Sequence, residues 1–188
     1  EQLLDALGDA VGDYHLIELS ASLRARQAQR LRRFEGRVHW HECLPEVIDG
    51  VVLGNELLDA MPVQLLRFDG HAWFERGVAV SDGGFAWRDR PTDLRPPLSD
   101  GFAPGSIVEI HRQAEAFVRT LAESMRCATA FFIDYGFPEV EYYHPQRSGG
   151  TLMCHFRHRS HSDPFAWPGL TDITAHVDFS AMAAAGVR

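Results

Sequence analysis

The sequence predicts an α/β protein with a mostly parallel sheet, interrupted by an inserted β-ribbon. Three observations predict it. Short apolar runs (YHLIEL, RVHW, DGVVLGN and ATAFFIDYG) alternate with stretches whose apolar residues recur at helical spacing, and the short connections between them favour parallel pairing. Between residues 63 and 80 the pattern changes to two strand-like stretches meeting at Asp69-Gly70, a dipeptide suited to a hairpin turn. The 188 residues are 45% hydrophobic, enough for one buried core and one domain.

The elements follow in order. EQLLDALGDAVG reads as the tail of an amphipathic helix, with Leu3, Leu4 and Leu7 on one face and Gly12 near its stop. YHLIEL is then a strand closed by Glu18, Ser20 is a helix cap, and ASLRARQAQRLRRF is the helix it opens. RVHW and DGVVLGN are two further strands, the second leading into GNELLDAMP. After the ribbon, residues 81–105 are rich in Gly, Pro and Asp and read as a mobile loop with one short strand around 85–88. SIVEIHRQAEAFVRTLAESM is expected to be helical, with Ala114, Phe117, Val118 and Leu121 as its stripe; ATAFFIDYG is a buried strand ending in Asp134-Tyr135-Gly136. Residues 141–179 are dense in His, Arg, Tyr and Gly and read as a lid or loop over a site. The chain ends on a helical pattern just before Gly186, so it reads as an excerpt truncated at both ends. Residues 1–62 form the cofactor-side half of the sheet, 63–105 the ribbon and loop, and 106–188 the remaining sheet with the His/Arg-rich segment.

Composition excludes several classes. The formal net charge is −8 and no basic face dominates, which argues against a nucleic acid partner. All 18 positive side chains are arginine; those from Arg24 to Arg37 interleave with Gln27, Leu31 and Glu35 as a solvated helix face. Three scattered cysteines, Cys43, Cys127 and Cys154, suggest a reducing compartment. No run is long enough to span a bilayer, and the first residues lack a signal-like pattern, so the protein reads as soluble and intracellular, without membrane insertion.

Four groups of residues can carry chemistry. Glu18 stands at the carboxyl end of a strand, where an acid can accept hydrogen bonds from two ribose hydroxyls; it can equally be a neighbour of the Ser20 cap. Asn55, Glu56 and Asp59 follow a buried strand. If that turn is helical, Glu56 and Asp59 share a face and can hold a guanidinium or act as a base; otherwise Asn55 is a cap and the acids favour its helix. Cys154, His155, His158 and His161 suggest a zinc set, but Arg157 and Arg159 lie among them, and histidines and arginines that close a pocket fit the pattern better. Asp172, Thr174, His176 and Asp178 alternate onto one face of an extended stretch.

Read together, IELSASLRARQ, GNELLDAMPV, FFIDYGFPEVEYYHPQR, GTLMCHFRHRSH and PGLTDITAHVDF resemble the MidA family of methyltransferases, which use S-adenosyl-L-methionine (SAM) and include a mitochondrial complex I assembly factor that methylates arginine. The resemblance runs nearly end to end. It implies a class I, Rossmann-like SAM-methyltransferase fold, SAM as cofactor, and a protein arginine as substrate, in a respiratory-complex subunit by analogy. Its compartment is the cytoplasm of a bacterium or the mitochondrial matrix of a eukaryote. It places Glu18 and Ser20 on the cofactor side and Asn55 between cofactor and catalytic rim with Glu56 and Asp59. It places Asp134, Tyr135, Tyr143, His144, Arg147, His155, His158, His176 and Asp178 on the substrate side. The family's glycine-rich cofactor loop has no counterpart in these residues. Two other readings are a non-catalytic assembly factor that grips a partner through the ribbon's Trp73, Phe74 and Trp87, and a metal-dependent hydrolase built on the histidines. The sequence leaves the oligomeric state open.

Overall fold

Alternating patterns of period two and period 3.6 build two compact units in the computed structural model, which describes residues 1–187. One unit comprises Glu1–Asp49 with Ser124–Arg126, the other Gly50–Glu123 with Cys127–Arg188. In the first, helix α1 (Gln2–Leu7) precedes strand β1 (Tyr14–Ile17), helix α2 (Ala21–Arg30) and strand β2 (Val38–His41). β1 and β2 run parallel, and the Glu18 N–H continues their ladder onto the His41 carbonyl at 3.0 Å. Ser20 opens α2 as the sequence suggests: its Oγ accepts the Leu23 N–H at 3.3 Å. Leu4, Leu31 and Val38 form this unit's small core.

The second unit takes in β3 (Ile48–Asn55) from Gly50 onward and, from Cys127 onward, its pairing partner β8 (Met125–Ile133). Between them lie β4 (Gln64–Phe68), β5 (Trp73–Ser81), β6 (Gly84–Pro91), β7 (Ile107–Ile110) and helix α3 (Arg112–Ser124). The predicted hairpin is present. The Asp69 carboxylate accepts the His71 and Ala72 N–H groups at 2.8 and 2.7 Å, closing the turn, and these bonds hold its pKa below the ordinary carboxylate value.

The ribbon is larger than the sequence suggests: β6, β5, β4 and β7 make a four-stranded antiparallel sheet in that order. Two findings differ from expectation here. The stretch read as loop contains an eight-residue strand, β6, paired along its whole length with β5 and tied by ion pairs directly across the strands, Arg76 with Asp89 (2.7 Å) and Arg90 with Glu75 (2.7 Å). The stretch read as one long helix begins with β7, whose Val108, Glu109 and Ile110 are buried against the sheet before α3 starts at Arg112. Leu66, fully buried with Trp73, Val108 and Tyr142, centres the core on which the ribbon sits; burying a leucine contributes about 2 kcal/mol.

Beyond β8 come β9 (Gly136–Phe137), helix α4 (Glu139–Tyr142), β10 (Met153–Phe156), β11 (Arg159–His161), β12 (Asp172–Thr174), β13 (Val177–Asp178) and helix α5 (Phe179–Gly186). The His/Arg-rich segment is therefore an ordered sheet, β11-β10-β12, antiparallel throughout. β9 and β13 pair in parallel so closely that a Cβ on Gly136 would stand 1.9 Å from the Val177 carbonyl oxygen, which is why glycine follows Tyr135. The fold is α/β with mixed rather than mostly parallel sheets, and among the described residues no helix is long and apolar enough to cross a membrane.

Candidate active site

The end of β3 and the end of β8 define the site. The Glu56 N–H donates to the Ile133 carbonyl at 2.8 Å, and there the chain turns away with Glu56 at φ 46°, a left-handed conformation uncommon for a side-chain-bearing residue. Residues 56–59 do not form a helix. Instead one oxygen of Asp134 accepts the N–H groups of Leu57, Leu58 and Asp59 at 3.1, 2.9 and 3.4 Å, while its other oxygen accepts the Tyr135 N–H at 3.0 Å. Asp134 is thus engaged in shaping the turn. Leu58 anchors it in the core beside Ala114, Val177 and Met182.

That turn carries Asp59 inward, where it is 4% exposed. The Tyr135 hydroxyl donates to Asp59 Oδ2 in a short bond, and the Ala175 N–H holds the Asp59 carbonyl at 2.9 Å. Asp59 Oδ1 is buried and has no hydrogen-bond partner among the described residues. Burial, followed by the Asp59 contact, pushes the Tyr135 phenol up to about 12, so it stays a donor at neutral pH.

Opposite, the pairing of His155 with Asp172 and of Met153 with Thr174 lays the β10–β12 surface against the turn. A pocket of about 340 Å³ results, lined by Glu56, Asp59, Tyr135, Thr151, Met153, His155, Asp172, Thr174 and His176. The His176 ring meets Tyr135 edge-on at 5.2 Å and Phe137 at 5.1 Å. Its Nδ1 is buried without a partner, and burial, helped by Arg147, lowers its pKa. Three acids and two histidines, one of them His176 with its lowered pKa, around a small cavity suit a cation carrying several N–H donors.

The structure thus brings together Glu56, Asp59, Tyr135, His155 and His176, with Asp172 and Thr174. The other expected site residues lie elsewhere. Asn55 ends β3 exposed. Arg147 lies over the Phe137 ring at 3.8 Å and bonds the Glu141 carbonyl and carboxylate. Tyr143 is buried, its hydroxyl donating to the Glu109 carbonyl at 3.0 Å, and burial raises its pKa. His144 is exposed and accepts the Gln146 N–H at 3.2 Å; His158 is at the exposed tip between β10 and β11. Asp178 leaves the polar face of its neighbours to cap α5, accepting the Ser180 and Ala181 N–H groups at 3.0 and 3.1 Å. Sequence reasoning passed over Thr151 in the pocket wall and the buried Glu109 behind it. The cue was a lone acid in the apolar run of IVEI, followed far downstream by the paired glycines before Thr151.

In the first unit, Glu18 Oε1 accepts the Ser20 N–H at 2.9 Å and Oε2 accepts Gln27 Nε2 at 3.1 Å, while Gln27 also accepts Trp40 Nε1 at 2.9 Å. Each Glu18 oxygen keeps a further lone pair, so the carboxylate is a fixed two-point acceptor of the kind a vicinal diol requires. Cys154 and His161 face one another across β10 and β11, whereas adjacent His155 points to the opposite side. Among the described residues no group of three or more His, Cys, Asp or Glu is placed to hold a metal ion.

A family model described as "Putative S-adenosyl-L-methionine-dependent methyltransferase" matches residues 2–188. The chain belongs to this methyltransferase family. A crystal structure of a COG1565 superfamily member from Burkholderia thailandensis, bound to S-adenosyl-homocysteine, is 47% identical, with a TM-score of 0.87 over 98% of this chain and 50% of that one. A native structure of a COG1565 superfamily protein from the same organism is 49% identical, with a TM-score of 0.90 over 98% of this chain and 52% of that one. Among curated relatives, the mitochondrial protein arginine methyltransferase NDUFAF7 homolog of Drosophila melanogaster is 30% identical over 91% of this chain and 45% of its own length. The Danio rerio protein arginine methyltransferase NDUFAF7 is 26% identical over 95% of this chain and 47% of its own length. The chain spans about half the length of the relatives it matches. The family's cofactor is SAM, and the chain shares the α/β fold of these structures, with which the expected Rossmann-like class is consistent.

Proposed function

We propose that these residues carry the substrate pocket and part of the cofactor site of a SAM-dependent protein arginine methyltransferase. The observation that carries the reading is Asp59 Oδ1, a buried carboxylate oxygen left without a partner in a pocket that also holds Glu56 and Asp172. Leaving a buried acceptor unpaired costs about 1–3 kcal/mol, which a guanidinium N–H would recover. The names of the relatives, at 25–30% identity, support a protein arginine as the modified group. The bacterial structures, at 47–49% identity, favour a bacterial setting over the mitochondrial one named for the curated relatives.

SAM, when bound, supplies a methyl group on a positively charged sulfur that departs readily as a thioether. Glu18 is the ribose acceptor in this reading, held by Ser20 and Gln27. On the substrate side, Asp59 Oδ1 accepts an N–H of the guanidinium and orients it, while Tyr135 fixes the other Asp59 oxygen. The nitrogen lone pair, otherwise delocalised, becomes available as the N–H proton moves toward Asp59 Oδ1; the N–C bond forms and the methyl–sulfur bond breaks. Glu56 at the rim balances the charge of the incoming side chain. His176, whose pKa burial lowers, borders the pocket without adding a positive charge that would compete for the acids.

The test uses the full-length protein, labelled SAM and an arginine peptide. Asp59→Asn should keep SAM binding by calorimetry and lower methyl transfer by about a hundredfold or more, within the range of general-base effects. Unchanged methylation by that variant would remove Asp59 from the chemistry, and a wild-type protein that binds no SAM would remove the enzyme reading altogether.

A further inference from the structure

Behind the pocket lies a second acid that the reaction does not touch. Glu109 of β7 is 0% exposed, and among the described residues no cationic side chain bonds to it. Its Oε1 accepts the backbone N–H groups of Thr151 and Leu152 at 2.8 and 3.1 Å. Its Oε2 accepts the Tyr142 hydroxyl at 3.1 Å and the Thr151 hydroxyl at 3.2 Å. The loop it grips is shaped to receive it: Gly150 has φ 75°, and a Cβ there would lie 2.4 Å from Glu109 Oε1. The two hydroxyls also lie 3.1 Å from one another, so Tyr142, Thr151 and Glu109 Oε2 form one cluster; His111 Nε2 bonds the Tyr142 hydroxyl at 2.9 Å, and the Thr151 hydroxyl accepts the His176 N–H at 3.1 Å.

Two pocket residues, Thr151 and His176, therefore hang from this one carboxylate. Burying an acid without a cation is costly, and an apolar side chain at this position would pack without that cost. Burial keeps the Glu109 pKa above the ordinary value even with four donors aimed at it. The expense is explicable if the acid sets positions that an apolar residue cannot.

We infer that Glu109 is a positioning residue for the arginine pocket, fixing its rear wall through the Thr151 hydroxyl and the His176 backbone. The inference rests on the reading of that pocket as the substrate site. Glu109 touches no substrate; it acts through the 150–152 loop. Binding of the guanidinium should therefore depend on Glu109, and binding of SAM should not.

The experiment compares Glu109→Ala, Glu109→Gln and Thr151→Val with the wild type in the full-length protein. It measures KM for an arginine peptide, SAM affinity by calorimetry, and the pH titration of the His176 ring by NMR. Glu109→Ala should raise KM about tenfold with SAM affinity unchanged, since it frees the loop that forms the wall. Glu109→Gln should recover to within about threefold of wild type, because its amide oxygen still accepts both backbone N–H groups. Thr151→Val should raise KM and move the His176 titration, as it removes the hydroxyl that links the acid to His176 while leaving the backbone N–H bonds to Glu109 in place. A Glu109→Ala protein with wild-type KM in the fraction that binds SAM would reduce Glu109 to a stability role and overturn the inference. Should that variant fail to fold, an unchanged KM in Thr151→Val overturns it instead. If the wild type methylates no arginine, the substrate reading falls separately, and the His176 titration in Thr151→Val still decides whether the wall is set through Thr151.

Discussion

His111 illustrates how far a single buried residue can be from its solution behaviour. It is 2% exposed between Tyr142 and α3, and burial lowers its pKa from 6.5 to about 4. The unfolded chain therefore binds a proton near pH 6.5 that the folded chain refuses until about pH 4. Its contribution to stability is present above 6.5 and drains away as pH falls through that window, by at most about 1.4 kcal/mol per pH unit. Glu109 and Asp178 have raised pKa values and act with the opposite sign, gaining stability on acidification above their ordinary values. A direct comparison isolates the histidine: in urea titrations, the advantage of the wild type over His111→Gln should shrink steadily between about pH 6.5 and pH 4.5. A constant difference across that range would mean that His111 takes up its proton in the folded protein as readily as in the unfolded chain.

Among the elements, the β10–β11 hairpin is the least comfortable. Phe156 and Arg159 pair, so Arg157 and His158 alone make the turn, both left-handed at φ 47° and 63°. Such two-residue turns favour Asn-Gly, and each side-chain-bearing residue there costs about 1 kcal/mol. Replacing Arg157→Asn and His158→Gly together should raise stability by roughly 1–2 kcal/mol, read as a higher urea midpoint at unchanged m-value. No gain would show that the guanidinium of Arg157 over the Phe156 ring, 5.3 Å away, already offsets the strain. This turn was hidden in the sequence because Arg-His has none of the residues that announce a turn. The β4–β5 hairpin was legible because Asp69-Gly70 does, and so was the strand–cap–helix from β1 to α2, where Ser20 stands directly before the helical pattern. β7 was not: Ile107, Val108 and Ile110 fit either period when a helix follows at once. The spacing in 56–59 fits a helical turn, and the structure has none, because the group that shapes it, Asp134, lies more than 70 residues downstream. Acids at the ends of strands pointed to Glu56 and Asp59, and alternation pointed to Asp172, Thr174 and His176. Thr151 and Glu109 left only the fainter cue of a lone acid in IVEI and paired glycines before Thr151, since their importance lies in contacts that only the fold creates.

For the molecule as a whole, the two units differ in what holds them. The unit of Glu1–Asp49 with Ser124–Arg126 rests on one small cluster, Leu4, Leu31 and Val38, flanked by partly buried residues such as Tyr14 and Trp40. The other unit has two clusters, one beneath the ribbon sheet and one around Leu58 and Val177. A core of that smaller size gives limited protection against local opening. Amides of β1 and β2 should therefore exchange with solvent at least about tenfold faster than those of β4, β5 and β7 in native-state hydrogen exchange. Equal protection in both units would mean that they open as one. Glu18 sits in the less protected unit, which adds a second arm to the measurement. A ligand that binds only the native form stabilises it by about 2.7 kcal/mol at a hundredfold excess over its Kd, so SAM added to the full-length protein should slow exchange at β1 and α2. Slowing confined to the unit that holds the acidic pocket would instead place the cofactor's grip away from Glu18, and the ribose role would have to pass to another carboxylate.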